Sequence, residues 1–171
     1  MTPVTADLRL QVVSNPRYLC AIRELVAVSA RQLGFAEAQC SQIALAVDEA
    51  VSNIIKHGYA GVADRPIWIE LTPTQDAARG PGVRIVIEDE ARQVDPGEIK
   101  GRDLDDVRPG GLGVHIIREV MDNAVYERRD HAGMRLTLTK LLSSPAKACD
   151  AACNCVPHQP APQPPPPPPS T

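Results

Sequence analysis

Residues 41 to 59 read SQIALAVDEAVSNIIKHGY, and the fold turns on how this stretch is read. Ile43, Val47, Val51, Ile54 and Ile55 recur at helical spacing and mark one apolar side of a long helix. Glu49, Asn53 and His57 are four residues apart and stack as a polar stripe on another side. Gly58 follows directly, where a helix end favours a residue free to take a positive φ. A carboxylate one turn from a carboxamide suits a divalent ion that also holds a phosphate. Asn offers a neutral oxygen to a hard cation, and Glu can take a proton from a nucleophile. Taken alone, the stripe is equally the solvated face of an amphipathic helix.

Composition narrows the alternatives. The 171 residues allow one domain, or one domain with a tail. Aromatics make up only 3%, so a core must rest on Val, Ile, Leu and Ala. A net charge of −3 leaves no basic excess to neutralise phosphate backbones, which argues against a nucleic-acid binder. No window holds the roughly 20 apolar residues of a membrane span. The opening MTPVTADLRLQVV lacks a basic segment followed by an apolar one, so no signal peptide is read there. Five cysteines, an odd number, are most simply reduced thiols of a cytoplasmic protein.

Working outward, residues 7 to 13 alternate as a first strand. Ser14-Asn15-Pro16 then opens a helix that runs to about Leu33 and stops at Gly34. Leu19, Ile22, Val26 and Leu33 are its core positions; Arg17, Arg23 and Arg31 are polar ones. FAEAQ, residues 35 to 39, is a short connection to the long helix, and residues 60 to 66 form a loop. Residues 67 to 71 and 83 to 87 pair as a hairpin across a polar turn from Pro73 to Gly82. The second strand exits through Glu88-Asp89-Glu90, residues that are often only turn formers.

Residues 91 to 110 carry no periodicity, and so long an irregular segment inside a domain suggests a lid. It runs into Gly110-Gly111-Leu112-Gly113-Val114 and an apolar-periodic helix ending at Asp122-Asn123. Glycines at a helix start admit phosphate oxygens to backbone N–H groups, although they also serve as plain tight turns. Residues 124 to 127 and 134 to 141 are two further strands. The order β, α, α, β, β, lid, α, β, β predicts an α+β fold. It is a two-layer sandwich whose mixed, mostly antiparallel sheet carries its helices on one face. Residues 1 to 142 are assigned to the domain. Residues 143 to 171 hold ten of the 17 prolines and read as a disordered, polyproline-rich tail. Cys149, Cys153, Cys155 and His158 in that tail match no zinc spacing.

DEAVSNIIKHGY, EDEARQVDP and PGGLGVHIIREVMD occur in that order, with the irregular segment before the third. Over residues 7 to 141 the chain resembles the GHKL ATPase superfamily, and within it the RsbW/SpoIIAB type of anti-sigma factor and serine/threonine kinase. The resemblance implies a Bergerat-type ATP-binding sandwich, in agreement with the element order. It implies ATP and Mg2+ as cofactors, with Asn53 as the magnesium ligand and Glu49 as the catalytic base. Asp89 would receive the adenine amino group. Gly111 and Gly113 would be the lid-closing glycines, so that Gly111, Leu112, Gly113 and Val114 face the phosphates, with His57 and Ala91 also at the nucleotide. Arg23 would contact a protein partner. One departure stands out: Ala91 and Val94 occupy positions where the family usually has glycine and phenylalanine.

The expected function is an anti-sigma regulatory factor. It would phosphorylate a serine or threonine on an anti-sigma antagonist (a STAS-domain protein) and, in alternation, sequester a sigma factor, with a homodimer compatible with the resemblance. The alternative is a nucleotide-binding sequestration module without kinase activity. The catalytic half of a histidine kinase fits less well, since no dimerisation helix with a phosphoacceptor histidine precedes the first strand.

Overall fold

A computed structural model of the chain describes residues 7–99 and 112–142. The expected tail from residue 143, most of the expected lid, and Gly111 lie outside the described residues.

Five strands form one sheet in the order β1-β2-β3-β5-β4, where β1 is Leu8–Val13, β2 Pro66–Asp76, β3 Gly80–Asp89, β4 Asn123–Arg128 and β5 Met134–Leu141. Every pairing among the described residues is antiparallel, so the sheet is antiparallel there rather than mixed. Three helices accompany it: α1 (Leu19–Gln32), α2 (Glu37–Asn53) and α3 (Leu112–Val120). Register explains why they share one face. Leu71 pairs Ile85, which pairs Leu138, and Ile69 pairs Ile87, which pairs Leu136. These side chains are buried in one cluster with Ile22 and Val26 of α1, Ile43, Val47 and Val51 of α2, and Ile117 of α3. The alternate positions Glu70, Val86 and Thr137 are only half-buried on the other face. Aliphatic residues thus build the core, as the scarcity of aromatics requires.

The start of α1 follows its sequence signals. Asn15 accepts from the Arg17 N–H, Pro16 opens a 3-10 turn, and Gly34 ends the segment at φ 93°. Three boundaries differ most from expectation. First, α2 begins at Glu37, so FAEAQ is not a connection throughout. Its Ala, Glu and Gln are good helix formers, and Arg31 clasps Glu37 with contacts of 2.9 and 2.6 Å across the α1–α2 corner. Second, Gly58 keeps a helical backbone inside a π-helical turn, Ile54–Gly58, closed by Tyr59 N–H donating to Ile54 O at 2.8 Å. The positive φ values fall later, at Ala60 (51°) and Gly61 (81°). Third, the β2–β3 hairpin reaches Asp76 and Gly80, well into the expected turn. Pro73 is tolerated because β1 pairs β2 only as far as Leu71, which leaves that edge free of ladder bonds. Asp76 Oδ1 closes the tip by accepting from Ala78 N–H (2.9 Å) and Arg79 N–H (2.8 Å). No helix among the described residues is long and apolar enough to cross a membrane.

Candidate functional site

A cavity of about 470 Å³ opens between the end of α2, the exit of β3 and the start of α3. The three motifs singled out in the sequence meet there. Asn53, His57, Asp89, Ala91, Gly113 and Val114 all line it. Its walls are otherwise largely apolar, a usual composition for a small-molecule site with few polar anchors.

Asp89 is the buried anchor, 4% exposed. Its Oδ1 accepts from Ala91 N–H at 2.7 Å and from Met134 N–H at 3.2 Å. Oδ2 is left without a protein donor among the described residues and is available to a ligand N–H. Burial raises the carboxyl above its ordinary pKa, and the two N–H bonds offset part of that. The Asp89 carbonyl is held too: Arg129 donates to it at 2.6 Å, lies 5.3 Å over the Trp68 ring and pairs with Glu88 at 3.6 Å.

Ala91 is 8% exposed and has no positive φ, so the methyl in place of a glycine carries no backbone strain. Gly58 faces it. A Cβ built on Gly58 would stand 2.9 Å from the Ala91 Cβ. The next residue, Tyr59, spans the same junction. Its buried hydroxyl donates to Pro66 O at 2.7 Å and accepts from Glu90 N–H at 2.7 Å. Burial pushes this phenol upward in pKa and keeps it protonated.

At the other end of the cavity α3 packs against α2 through Gly113. A Cβ at 113 would lie 2.7 Å from Glu49 Oε2 and 3.1 Å from Asn53 Nδ2. The Glu49 carboxylate and the Asn53 carboxamide, its Oδ1 at 3.5 Å from that Cβ, thus both face α3 at Gly113. The neutral carboxamide oxygen of Asn53 is a donor that fits a small hard cation shared with phosphate oxygens. Among the described residues no group of three or more His, Cys, Asp or Glu is placed to hold a metal ion.

Not every expected residue joins the cavity. Glu49 is beside it, behind Gly113, without lining it. Leu112 is 52% exposed and does not line it either. Arg23 is on the exposed side of α1, where it donates to Cys20 Sγ at 3.9 Å. The structure adds residues that sequence reading missed. Tyr126 and Leu136 reach the cavity from β4 and β5, and their strand period was the only signal available. Tyr59 stood inside a quoted motif without a role, and Arg129 in a turn gave no signal at all.

Comparison with known proteins agrees with this geometry. The model of the histidine kinase-like ATPase domain family matches residues 12–140. The serine-protein kinase RsbW of Listeria monocytogenes serotype 4a is 26% identical over 147 residues, 84% of this chain and 92% of that protein. The serine-protein kinase RsbW of Bacillus subtilis is 23% identical over 145 residues, 80% of this chain and 86% of that protein. The serine/threonine-protein kinase BtrW of Bordetella bronchiseptica is 35% identical over 101 residues, 57% of this chain and 67% of that protein. Among solved structures, the RsbU and RsbW domains of Rv1364c from Mycobacterium tuberculosis superpose with a TM-score of 0.53 at 20% identity. That match covers 81% of this chain and 34% of the other, and it supports the fold. With the family's model spanning the sheet, the helices and the cavity, the chain belongs to the histidine kinase-like ATPase domain family.

Proposed function

We propose that the chain binds ATP in this cavity and transfers the γ-phosphoryl group to a serine or threonine of a small protein. Asp89 Oδ2 accepts the exocyclic amino group of adenine, beside Ala91 and in reach of His57. The first turn of α3, with Leu112, Gly113 and Val114, directs backbone N–H groups at the phosphates, and Gly111 precedes it in sequence. The Asn53 carboxamide would hold a magnesium ion bound with the nucleotide, which would supply charge neutralisation at the phosphates. Glu49 accepts the proton of the substrate hydroxyl. The hydroxyl oxygen then bonds to the γ-phosphorus, and the bond from that phosphorus to the bridging oxygen breaks with its electron pair leaving on ADP.

The observation that carries this reading is the contact of Gly113 with Glu49 and Asn53, because it joins the candidate base, the candidate metal ligand and a helix N-terminus at one end of a cavity with a buried carboxylate at the other. The relatives' names as serine-protein kinases support the reaction class. By the resemblance, the substrate is a STAS-domain anti-sigma antagonist, the alternating partner is a sigma factor, and Arg23 belongs to the partner-binding face.

A second reading is sequestration of a partner without transfer. The position of Glu49 behind Gly113, off the cavity wall, favours it. Transfer of label from γ-labelled ATP to a purified STAS-domain antagonist tests both. Label on a serine or threonine is the expected result. Partner binding without label would replace the kinase with the module.

A further inference from the structure

Residues 58 and 91 form a matched pair across the cavity wall. Both line the cavity. Gly58 sits in the π-helical turn after α2, and Ala91 lies two residues past the end of β3. A Cβ on Gly58 would approach the Ala91 Cβ to 2.9 Å and Ile54 Cγ2 to 3.8 Å. The first distance is shorter than two carbon atoms tolerate, so one backbone would have to move. Gly58 itself has no positive φ, so nothing in its backbone demands glycine; the demand comes from the methyl opposite.

That methyl belongs to the residue whose N–H donates to Asp89 Oδ1 at 2.7 Å. On the other side of the same junction the Tyr59 hydroxyl holds Glu90 N–H at 2.7 Å. Residues 58 and 59 thus brace residues 90 and 91, which follow the buried carboxylate directly. Moving Ala91 away from residue 58, with Glu90 tethered, swings its N–H off Asp89 Oδ1. The carboxylate then loses one of the two bonds that orient it.

We propose that Gly58 is a positioning residue for the Asp89 carboxylate, acting through Ala91: the missing side chain at 58 seats the Ala91 methyl and so aims Asp89 Oδ2 at the base of a bound purine nucleotide. This rests on the nucleotide-binding reading above and adds to it the residue that makes an alanine usable at position 91.

A double-mutant cycle read by ADP titration in a calorimeter, with magnesium present, tests the proposal. Gly58→Ala in the natural background should weaken ADP by about tenfold or more. The same substitution in an Ala91→Gly background should cost less than about threefold, because the opposing methyl is gone. Equal costs in the two backgrounds, or no cost in the first, would overturn the proposal while leaving nucleotide binding intact. If Gly58→Ala alone does not fold, Gly58→Ala/Ala91→Gly decides. A folded double variant that binds ADP within about threefold of Ala91→Gly supports the pairing, and an unfolded one overturns it. A natural chain that shows no heat with millimolar ADP overturns the nucleotide reading and this proposal together.

Discussion

The backbone of Gly113 rests against the Glu49 carboxylate, so closely that a Cβ there would stand 2.7 Å from Oε2. This contact lies where α3 packs on α2, at the end of the cavity proposed to hold the phosphates. Gly113→Ala should displace the ends of the Glu49 and Asn53 side chains, which can swing aside, so the cost in stability should be small, about 1 kcal/mol. The expected outcome is a folded protein with a melting temperature lower by a few degrees and ADP affinity weaker by about tenfold. Scanning fluorimetry with and without ADP reads both. Unchanged affinity would show that the first turn of α3 does not hold the phosphates.

Tyr59→Phe removes one hydroxyl that serves Pro66 O and Glu90 N–H at once. Both hydrogen bonds are part-buried, and each contributes about 0.5–1.5 kcal/mol, so chemical denaturation should show a loss of roughly 1–2 kcal/mol. Nucleotide affinity should fall as well, because Glu90 adjoins Asp89. A loss of stability with full affinity would confine Tyr59 to the scaffold.

Burial raises the pKa of Asp89. The linkage sign follows from that direction. The stability associated with its protonation is fully present below the ordinary carboxylate range and is lost as pH rises through the raised value. At neutral pH the ionised group is therefore a burden on the folded state. Asn at this position keeps an oxygen for the Ala91 and Met134 N–H groups without the charge. Asp89→Asn, free of ligand, should melt at or above the natural protein at pH 7, and the gap should close as pH falls into the carboxylate range. ADP binding should be weakened at every pH, because an amide presents donors where adenine needs an acceptor. A variant that melts well below the natural protein at pH 7 would mean that the carboxylate is favourably paired.

Most of the architecture was legible because the period of apolar residues changes cleanly from 2 to 3.6 along the chain. Val83, Ile85 and Ile87 alternate into the core, while Ile43, Val47 and Val51 fall on one helix side. What failed was local. Glu37 opens α2 without a Ser, Thr, Asp or Asn cap before it, so the start was invisible. The hairpin was drawn short because Pro73 and Pro81 suggest a turn, and a proline's tolerance at an unpaired edge depends on where β1 stops. At the site, the stretches that hold Asp89, Asn53 and Gly113 could be placed because each sits at the end of a periodic element, and the family resemblance singled out those residues within them. Arg129, Met134 and Tyr126 could not, since their roles depend on the β4–β5 hairpin folding back onto Asp89.

Glu49 lies beside Asn53 at Gly113 and does not line the cavity itself. In the proposed reaction the substrate hydroxyl enters from the α3 side and passes its proton there. A general base contributes about 10²–10⁴-fold to transfer. Glu49→Gln keeps the volume that Gly113 packs against, so the fold and the α2–α3 spacing should persist. ADP affinity should also persist, because the proposed polar contacts to nucleotide come from Asp89 and Asn53. Phosphorylation of the antagonist should fall by about 10²-fold or more. A single-turnover assay with pre-bound γ-labelled ATP separates this from slower binding. If the Glu49→Gln variant phosphorylates at the natural rate, the proton leaves by another route and Glu49 is structural. If affinity collapses along with transfer, Glu49 acts on the nucleotide or its metal ion, and the role of base passes to another group near α3.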